Sequence, residues 1–416
     1  MDTTTPSRHH FLDWLRIIAF GLLVPYHVGM YYVTWDWHVK SAAASSTIEP
    51  LMLITAPWRM GLLFLISGAA TQFMLGRAGR FVRPRSRRLL WPLLFGMLVV
   101  VPPQSYYEVV TKLAYGGSYA DFLPLYLRGY HGFCRGTDCL SLPTWNHLWF
   151  LPYLWAYTML GWALWKLWPD GREKFERLIG DGRTLLLLAV PLMAARLTLT
   201  LFPSTHNLTA DWYNHLQYFY LFLLGLLGAR SGLWVLMQRW RWQALGFAVL
   251  AWALLLAYFK HYASQDPSTA MLYGQRLLWG AFEWSAIVAA CGHARQCLDF
   301  DNAARRWLTP AIFCLYVFHQ TVIVLLTRAL LPLGLPPVAE GPLLIALTFA
   351  ICLALYALLR RVPVLREFVG IAPPRQAAGP SPISAATLTV AGLPQARAAQ
   401  VQVGGSDRPC TRELRG

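Results

Sequence analysis

FLDWLRIIAFGLLVPYHVGMYYV, residues 11–33, is an apolar run that contains three ionisable side chains, Asp13, Arg16 and His27. About 20 helical residues cross a hydrocarbon core of roughly 30 Å, so the run is long enough to be a membrane-spanning helix. Each residue turns a helix by about 100°, and an eleven-residue step returns to nearly the same face about 16 Å further along the axis. Arg16 and His27 are therefore expected on one stripe. Asp13 sits one turn before Arg16, close enough to hold its guanidinium through an i, i+3 contact. Ionisable groups at membrane depth cost about 2.5–3.5 kcal/mol each on insertion scales, and those that persist face polar cavities and mark function. His27 is the first candidate.

Composition gives the class. With 56% hydrophobic residues, 13% charged residues and 19 tryptophans in 416, the chain is neither a soluble globular domain nor a disordered one. Further apolar runs occupy residues 50–75, 89–110, 147–167, 184–202, 212–229, 242–259, 271–291, 310–331 and 342–359. The expected fold is all-α, a polytopic membrane helix bundle of about ten spans. The polar/apolar alternation of an outer-membrane barrel is absent. Arginines crowd one set of loops, with Arg77, Arg80, Arg83, Arg85, Arg87 and Arg88 together and Arg295, Arg305 and Arg306 later, whereas the facing set holds Lys40, Lys112, Arg128, Arg135 and Lys260. Cytoplasmic loops retain positive charge, so both termini are expected in the cytoplasm.

The net charge of +16 reads as topology. Nucleic-acid binding is not expected, since no basic face on a soluble domain is visible. The first run exceeds a signal-peptide core and should stay in the mature protein. Residues 1–370 form the expected transmembrane domain. Residues 371–416, rich in Ala, Pro, Gly and Ser, are expected to be a disordered cytoplasmic tail.

Seven cysteines are scattered, and only Cys134 and Cys139 form a close pair, in the long outer loop from Thr111 to Trp145. That spacing fits a bridge in an oxidising compartment or two free thiols. No Cys or His pair has zinc spacing, and no metal site is expected.

Four more polar residues lie at membrane depth or at its outer edge: Arg59, Glu283, His319 and His147. Each alone could be a satisfied buried group; together with His27 they suggest a shared polar cavity. Ser67-Gly68, within an apolar helix, reads first as a close helix-packing contact. The arginine run before Trp91 is sufficient as a positive-inside signal that meets anionic lipid headgroups. Guanidinium groups also bind phosphate with paired hydrogen bonds, so the same run could cradle a nucleotide-containing donor such as coenzyme A. A Gly-rich phosphate loop and a G-x-S-x-G elbow are both missing.

The D-x-x-R start at Asp13, the R-x10-H spacing of Arg16 and His27, Phe64-Leu65-Ile66-Ser67-Gly68, the R-x-x-R at Arg85 and Arg88, His147-Leu148-Trp149-Phe150-Leu151 and Tyr316-Val317-Phe318-His319-Gln320 resemble the acyltransferase-3 family of integral membrane proteins. The resemblance runs from about Phe11 to Arg361 and is nearest the branch that succinylates periplasmic glucans. It implies an enzyme of the bacterial inner membrane that moves an acyl group, acetyl or succinyl, from cytoplasmic acyl-CoA to a carbohydrate hydroxyl at the outer side. It implies His27 as general base or transient acyl carrier, Arg16 as its partner and Asp13 as orienting that Arg. Arg85 and Arg88, with Arg87 and Ser67, fall on the acyl-CoA side, while Arg59, Glu283, His319 and His147 fall to the acceptor and its cavity. A proton-coupled secondary transporter would also bury His, Glu and Arg. A membrane scaffold would give no reason to bury Arg16 and His27 on one face.

Overall fold

A proline interrupts the first span. Helices α1 (His10–Gly21) and α2 (Leu23–Tyr32) meet at Leu22, because Pro25 lacks the N–H that would reach the Gly21 carbonyl. The computed structural model describes residues 9–75, 81–136 and 138–371. Arg8, Arg77, Arg80 and the tail from Ala372 onward lie outside the described residues.

A short α3 (Glu49–Thr55) leads into α4 (Arg59–Leu75), and α5 (Val82–Phe95) carries the arginine run. A π-helical turn at Gly96–Val100 joins α5 to α6 (Pro102–Lys112) with a 43° bend. Pro102 and Pro103 donate no backbone hydrogen bond, which leaves carbonyls of the preceding turn unpaired and favours the bend there. The outer loop holds α7 (Tyr119–Leu127) and the two-residue strands β1 (Cys134–Arg135) and β2 (Asp138–Cys139). These strands pair antiparallel with Cys134 opposite Cys139, and a disulfide joins the two cysteines.

After α8 (Phe150–Leu167), helices α9 (Gly171–Leu178) and α10 (Gly182–Leu197) turn on each other by 118°. Next come α11 (Trp212–Gly228) and α12 (Leu233–Arg239), bent by 105°. The chain continues through α13 (Arg241–His261), α14 (Thr269–Cys297), α15 (Ala303–Leu330), α16 (Pro337–Leu359) and α17 (Pro363–Phe368).

Among the described residues five helices are long and apolar enough to cross a membrane, and up to eight if each bent pair is one span. Ten runs were expected. The difference has a physical origin: α8 and α14 have the length, at 18 and 29 residues, but Trp, Tyr and Lys166 in α8 and Arg276, Glu283 and Arg295 in α14 interrupt their apolar composition.

Helices α4 and α11 lie backbone to backbone. A Cβ on Gly68 would stand 1.9 Å from the Phe222 carbonyl oxygen, and one on Gly225 would stand 1.8 Å from that of Leu65. In lipid, where apolar surfaces gain nothing by leaving water, such small-residue contacts hold helices together. Peripheral α13 and α16 expose apolar side chains such as Val249, Leu250 and Val338. Gly225→Val should therefore destabilise the protein by at least about 2 kcal/mol, read as a lower thermal transition in detergent, whereas Gly246→Ala on α13, with open space around it, should leave the transition unchanged.

Candidate active site

The start of α1 is held by the loop before α15. Asp299 accepts a hydrogen bond from the Phe11 N–H at 3.2 Å, which caps the helix and sets a negative charge at its positive end. The Trp14 indole donates to the Phe300 carbonyl at 3.3 Å. Arg305, fully buried, pairs with Asp13 and also donates to Asp301 from Nε at 3.0 Å and from Nη2 at 2.7 Å. Asp13 thus meets an arginine from the far end of the chain.

One helix further, His27 lines a cavity of about 540 Å³. Tyr26 and His27 come to it from α2, Arg59 from the first turn of α4, Glu108 and Lys112 from α6, Tyr218 from α11, and His319 and Gln320 from α15. His147 enters from a 3-10 turn, Asn146–Trp149, that precedes α8. His27, Arg59, His147 and His319 are brought together as walls of one cavity. Glu283 is not. It is buried on α14 against Gly61 of α4, within electrostatic reach of Tyr218 and Arg196, with Oε1 making no hydrogen bond.

The hydrogen bonds around the histidines settle their tautomers. His319 Nδ1 lies 2.8 Å from the Tyr316 carbonyl and 3.2 Å from that of Leu315. Carbonyls only accept, so Nδ1 carries a proton and a neutral His319 offers Nε2 as acceptor. That Nε2 lies 3.0 Å from His27 Nδ1, which is also 3.0 Å from the Leu23 carbonyl. Two acceptors converge on His27 Nδ1, which must donate. The lone pair of neutral His27 is then on Nε2. His147 has the opposite tautomer: its Nε2 donates to the Val317 carbonyl at 3.0 Å and its Nδ1 faces the Gln104 amide at 3.4 Å.

Gln104 ties three segments together. Its Nε2 donates to Thr321 at 2.6 Å, while its Oε1 accepts from Gln320 at 3.0 Å and Asn146 at 3.2 Å. Buried Asp211 accepts from the Tyr153 hydroxyl at 2.6 Å and from the Thr205 and His206 N–H groups at 2.9 and 3.1 Å, which fixes the turn through which Thr205 and His206 line the cavity. Burial lowers the pKa of His206, against the pull of Asp211. Elsewhere on the lining, Glu108 takes a 2.5 Å bond with His38 and a 3.0 Å bond from Lys112, which also meets Asp36.

Arg59 is 3% exposed. Its guanidinium stacks 4.0 Å over the Tyr26 ring and donates to Thr55 at 3.2 Å, and among the described residues no carboxylate pairs with it. A buried cation held by an aromatic face and one hydroxyl retains donors for an anion.

Arg16, Arg85 and Arg88 lie within electrostatic reach of one another, eleven residues of helix before His27. Arg87 points elsewhere, to an exposed pair with Glu367 at 3.1 Å. The Ser67 carbonyl accepts from Thr71 at 2.8 Å, and Ser67 adjoins the Gly68 packing contact.

A family model described as an acyltransferase domain matches residues 9–357. The chain belongs to the acyltransferase-3 family. It is similar to the glucans biosynthesis protein C of Salmonella gallinarum (strain 287/91 / NCTC 13346), 26% identical over 175 residues, 42% of this chain and 43% of that protein. The protein of the same name from Salmonella schwarzengrund (strain CVM19633) is 30% identical over 106 residues, 25% of this chain and 28% of that protein. The chain thus aligns with less than half the length of these relatives. No solved structure matches.

Within this acyltransferase-3 chain, sequence reasoning missed Tyr26, Gln104, Tyr218 and the role of Arg305. The i, i+4 spacing of Asp301 and Arg305 was a usable signal; nothing local marks Gln104. A double-mutant cycle of Asp13→Asn and Arg305→Met should give a coupling energy of about 1–3 kcal/mol in detergent unfolding, whereas additive effects would remove the latch from the account.

Proposed function

We propose that this chain is an inner-membrane O-acyltransferase that takes an acetyl or succinyl group from cytoplasmic acyl-CoA and passes it to a carbohydrate hydroxyl at the outer face, with a periplasmic glucan as the favoured acceptor. The carrying observation is the cavity pair: a neutral His27 whose lone pair is on Nε2, beside Arg59, a buried cation with no carboxylate partner among the described residues. Family membership supports acyl transfer, and the names of the relatives support a glucan.

In this reading a bundle of ten crossings keeps both termini in the cytoplasm. Arg16, Arg85 and Arg88 bind the phosphates of the donor, and membrane lipids surround the bundle. His27 Nε2 takes the proton of the acceptor hydroxyl as its oxygen bonds to the acyl carbon. The carbon–sulfur bond breaks and the thiolate takes up a proton on its own side. A transient acyl-His27 divides the same change into two transfers. Near neutral pH an imidazole suits either role. Arg59 either stabilises the developing oxyanion or pairs with the free carboxylate of a succinyl group.

Mass spectrometry of periplasmic and extracellular glycans from cells lacking this protein tests the reading. Wild-type protein should restore an acyl mass increment, and His27→Ala at equal membrane levels should lower it by about 10²- to 10⁴-fold; equal restoration by both would overturn the role of His27. Arg59→Ala should lose succinyl transfer and keep acetyl transfer if it reads the donor carboxylate, and an unchanged donor preference would assign it to the oxyanion. Arg85→Ala with Arg88→Ala should weaken saturable CoA binding.

A further inference from the structure

Histidine 319 is buried, its ring centroid 4.9 Å from that of His27, and every polar atom of the pair has an assigned partner except His27 Nε2. The bonds form one directed chain. His27 Nδ1–H donates to His319 Nε2, and His319 Nδ1–H donates to the carbonyls of Leu315 and Tyr316. A proton that arrives at His27 Nε2 therefore has an exit at the far side of the ring, because the acceptor of the Nδ1 hydrogen bond is itself a base.

We propose that His319 is the terminal base of a two-histidine proton relay: as His27 Nε2 gains the proton of the acceptor hydroxyl, the Nδ1 proton of His27 passes to His319 Nε2. The proposal rests on the acyl-transfer reading above. After the step His27 is neutral again, with its proton on Nε2, and His319 is an imidazolium whose Nδ1–H still faces two carbonyls. Hydrogen bonds from a charged donor are roughly twice as strong as neutral ones, so those carbonyls stabilise the transferred charge. Return of the Nδ1 proton to His27 and release of the Nε2 proton to water in the cavity resets the pair. The thiolate is protonated from water on its own side, and the exchange balances.

The surrounding groups do not offer a competing route. His147, 5.1 Å from His319 between ring centroids, donates Nε2–H to Val317 and turns Nδ1 to Gln104. Arg59 is a fixed positive charge that faces both rings; it holds no lone pair to take the proton, and its repulsion of the His319 imidazolium is offset when the developing oxyanion pairs with it.

The test uses the full chain in lipid nanodiscs with ¹⁵N-labelled histidine. In the wild type His27 should carry its proton on Nδ1. The Leu23 carbonyl also holds that tautomer, so the pairing is read from a scalar coupling across the hydrogen bond between His27 Nδ1 and His319 Nε2, which the wild type should show and which His319→Gln should lose while keeping the Nδ1–H tautomer. A wild type without that coupling overturns the pairing whether or not the protein transfers acyl groups.

The second readout is acyl transfer from acetyl-CoA against the deuterium fraction of the solvent. Wild type should show a curved dependence from two moving protons. His319→Gln should show a straight line from one proton, with kcat lower by about 10²-fold and KM within about twofold. Curvature retained in His319→Gln overturns the relay. A wild type with the expected coupling between the two rings but no acyl transfer would instead refute the function proposed above, and leave the pairing standing.

Discussion

A neutral imidazole has one lone pair, and the carbonyls of Leu315 and Tyr316 decide where two of them point. By holding His319 Nδ1–H, they turn His319 Nε2 toward His27 and so assign the lone pair of His27 to Nε2. The rest of the cavity serves that contact. Arg305 anchors α1, and so the span that carries His27, to the loop before α15; Gln104 bolts the His147 turn to the middle of α15. Loss of either anchor moves one histidine relative to the other, and a hydrogen bond at 3.0 Å tolerates little displacement.

The second organising feature is charge kept at two levels of one bundle. Uncompensated cations are expensive at membrane depth, and each is retained only where something offsets the cost. Asp13 and Asp301 offset Arg305. Arg59 is held by Tyr26, the hydroxyl of Thr55 and the nearby Tyr218, and among the described residues no carboxylate pairs with it, which leaves it suited to an anion that arrives. Arg16, Arg85 and Arg88 lie within electrostatic reach of one another, a concentration of positive charge suited to polyanionic ligands or headgroups. Arg16 on α1 and His27 on α2 stand eleven residues apart across the break at Leu22.

Much of this was legible in the sequence because polar residues are conspicuous against an apolar background. Helical phase put Arg16 and His27 on one expected stripe, which the break at Leu22 interrupts, whereas depth or the outer edge marked Arg59, His147 and His319, all of which line the cavity with His27. Glu283 satisfied the same depth argument and lies against Gly61 instead, since depth says nothing about which face of a crowded bundle a residue occupies. Asp13 had a local partner at i+3, while its bond to Arg305 spans nearly the whole chain and has no local trace. The bent pairs escaped hydropathy for a related reason: α9 is charged and falls outside the apolar runs, and the turn of 118° that carries the chain from it into α10 leaves no hydropathy trace. Gln104 follows Pro102 and Pro103, and its neighbours come from three distant segments.

The central claim, a donor site and an acceptor cavity on opposite sides of one membrane joined through His27, is tested most directly in sealed vesicles of fixed protein orientation. Radiolabelled acetyl-CoA is supplied on the side of Arg85 and Arg88, and a glucan is placed either with it or across the membrane. The account predicts label on the glucan only when the two substrates face opposite compartments, and none with His27→Ala. Equal labelling of glucan placed on the donor side would contradict it.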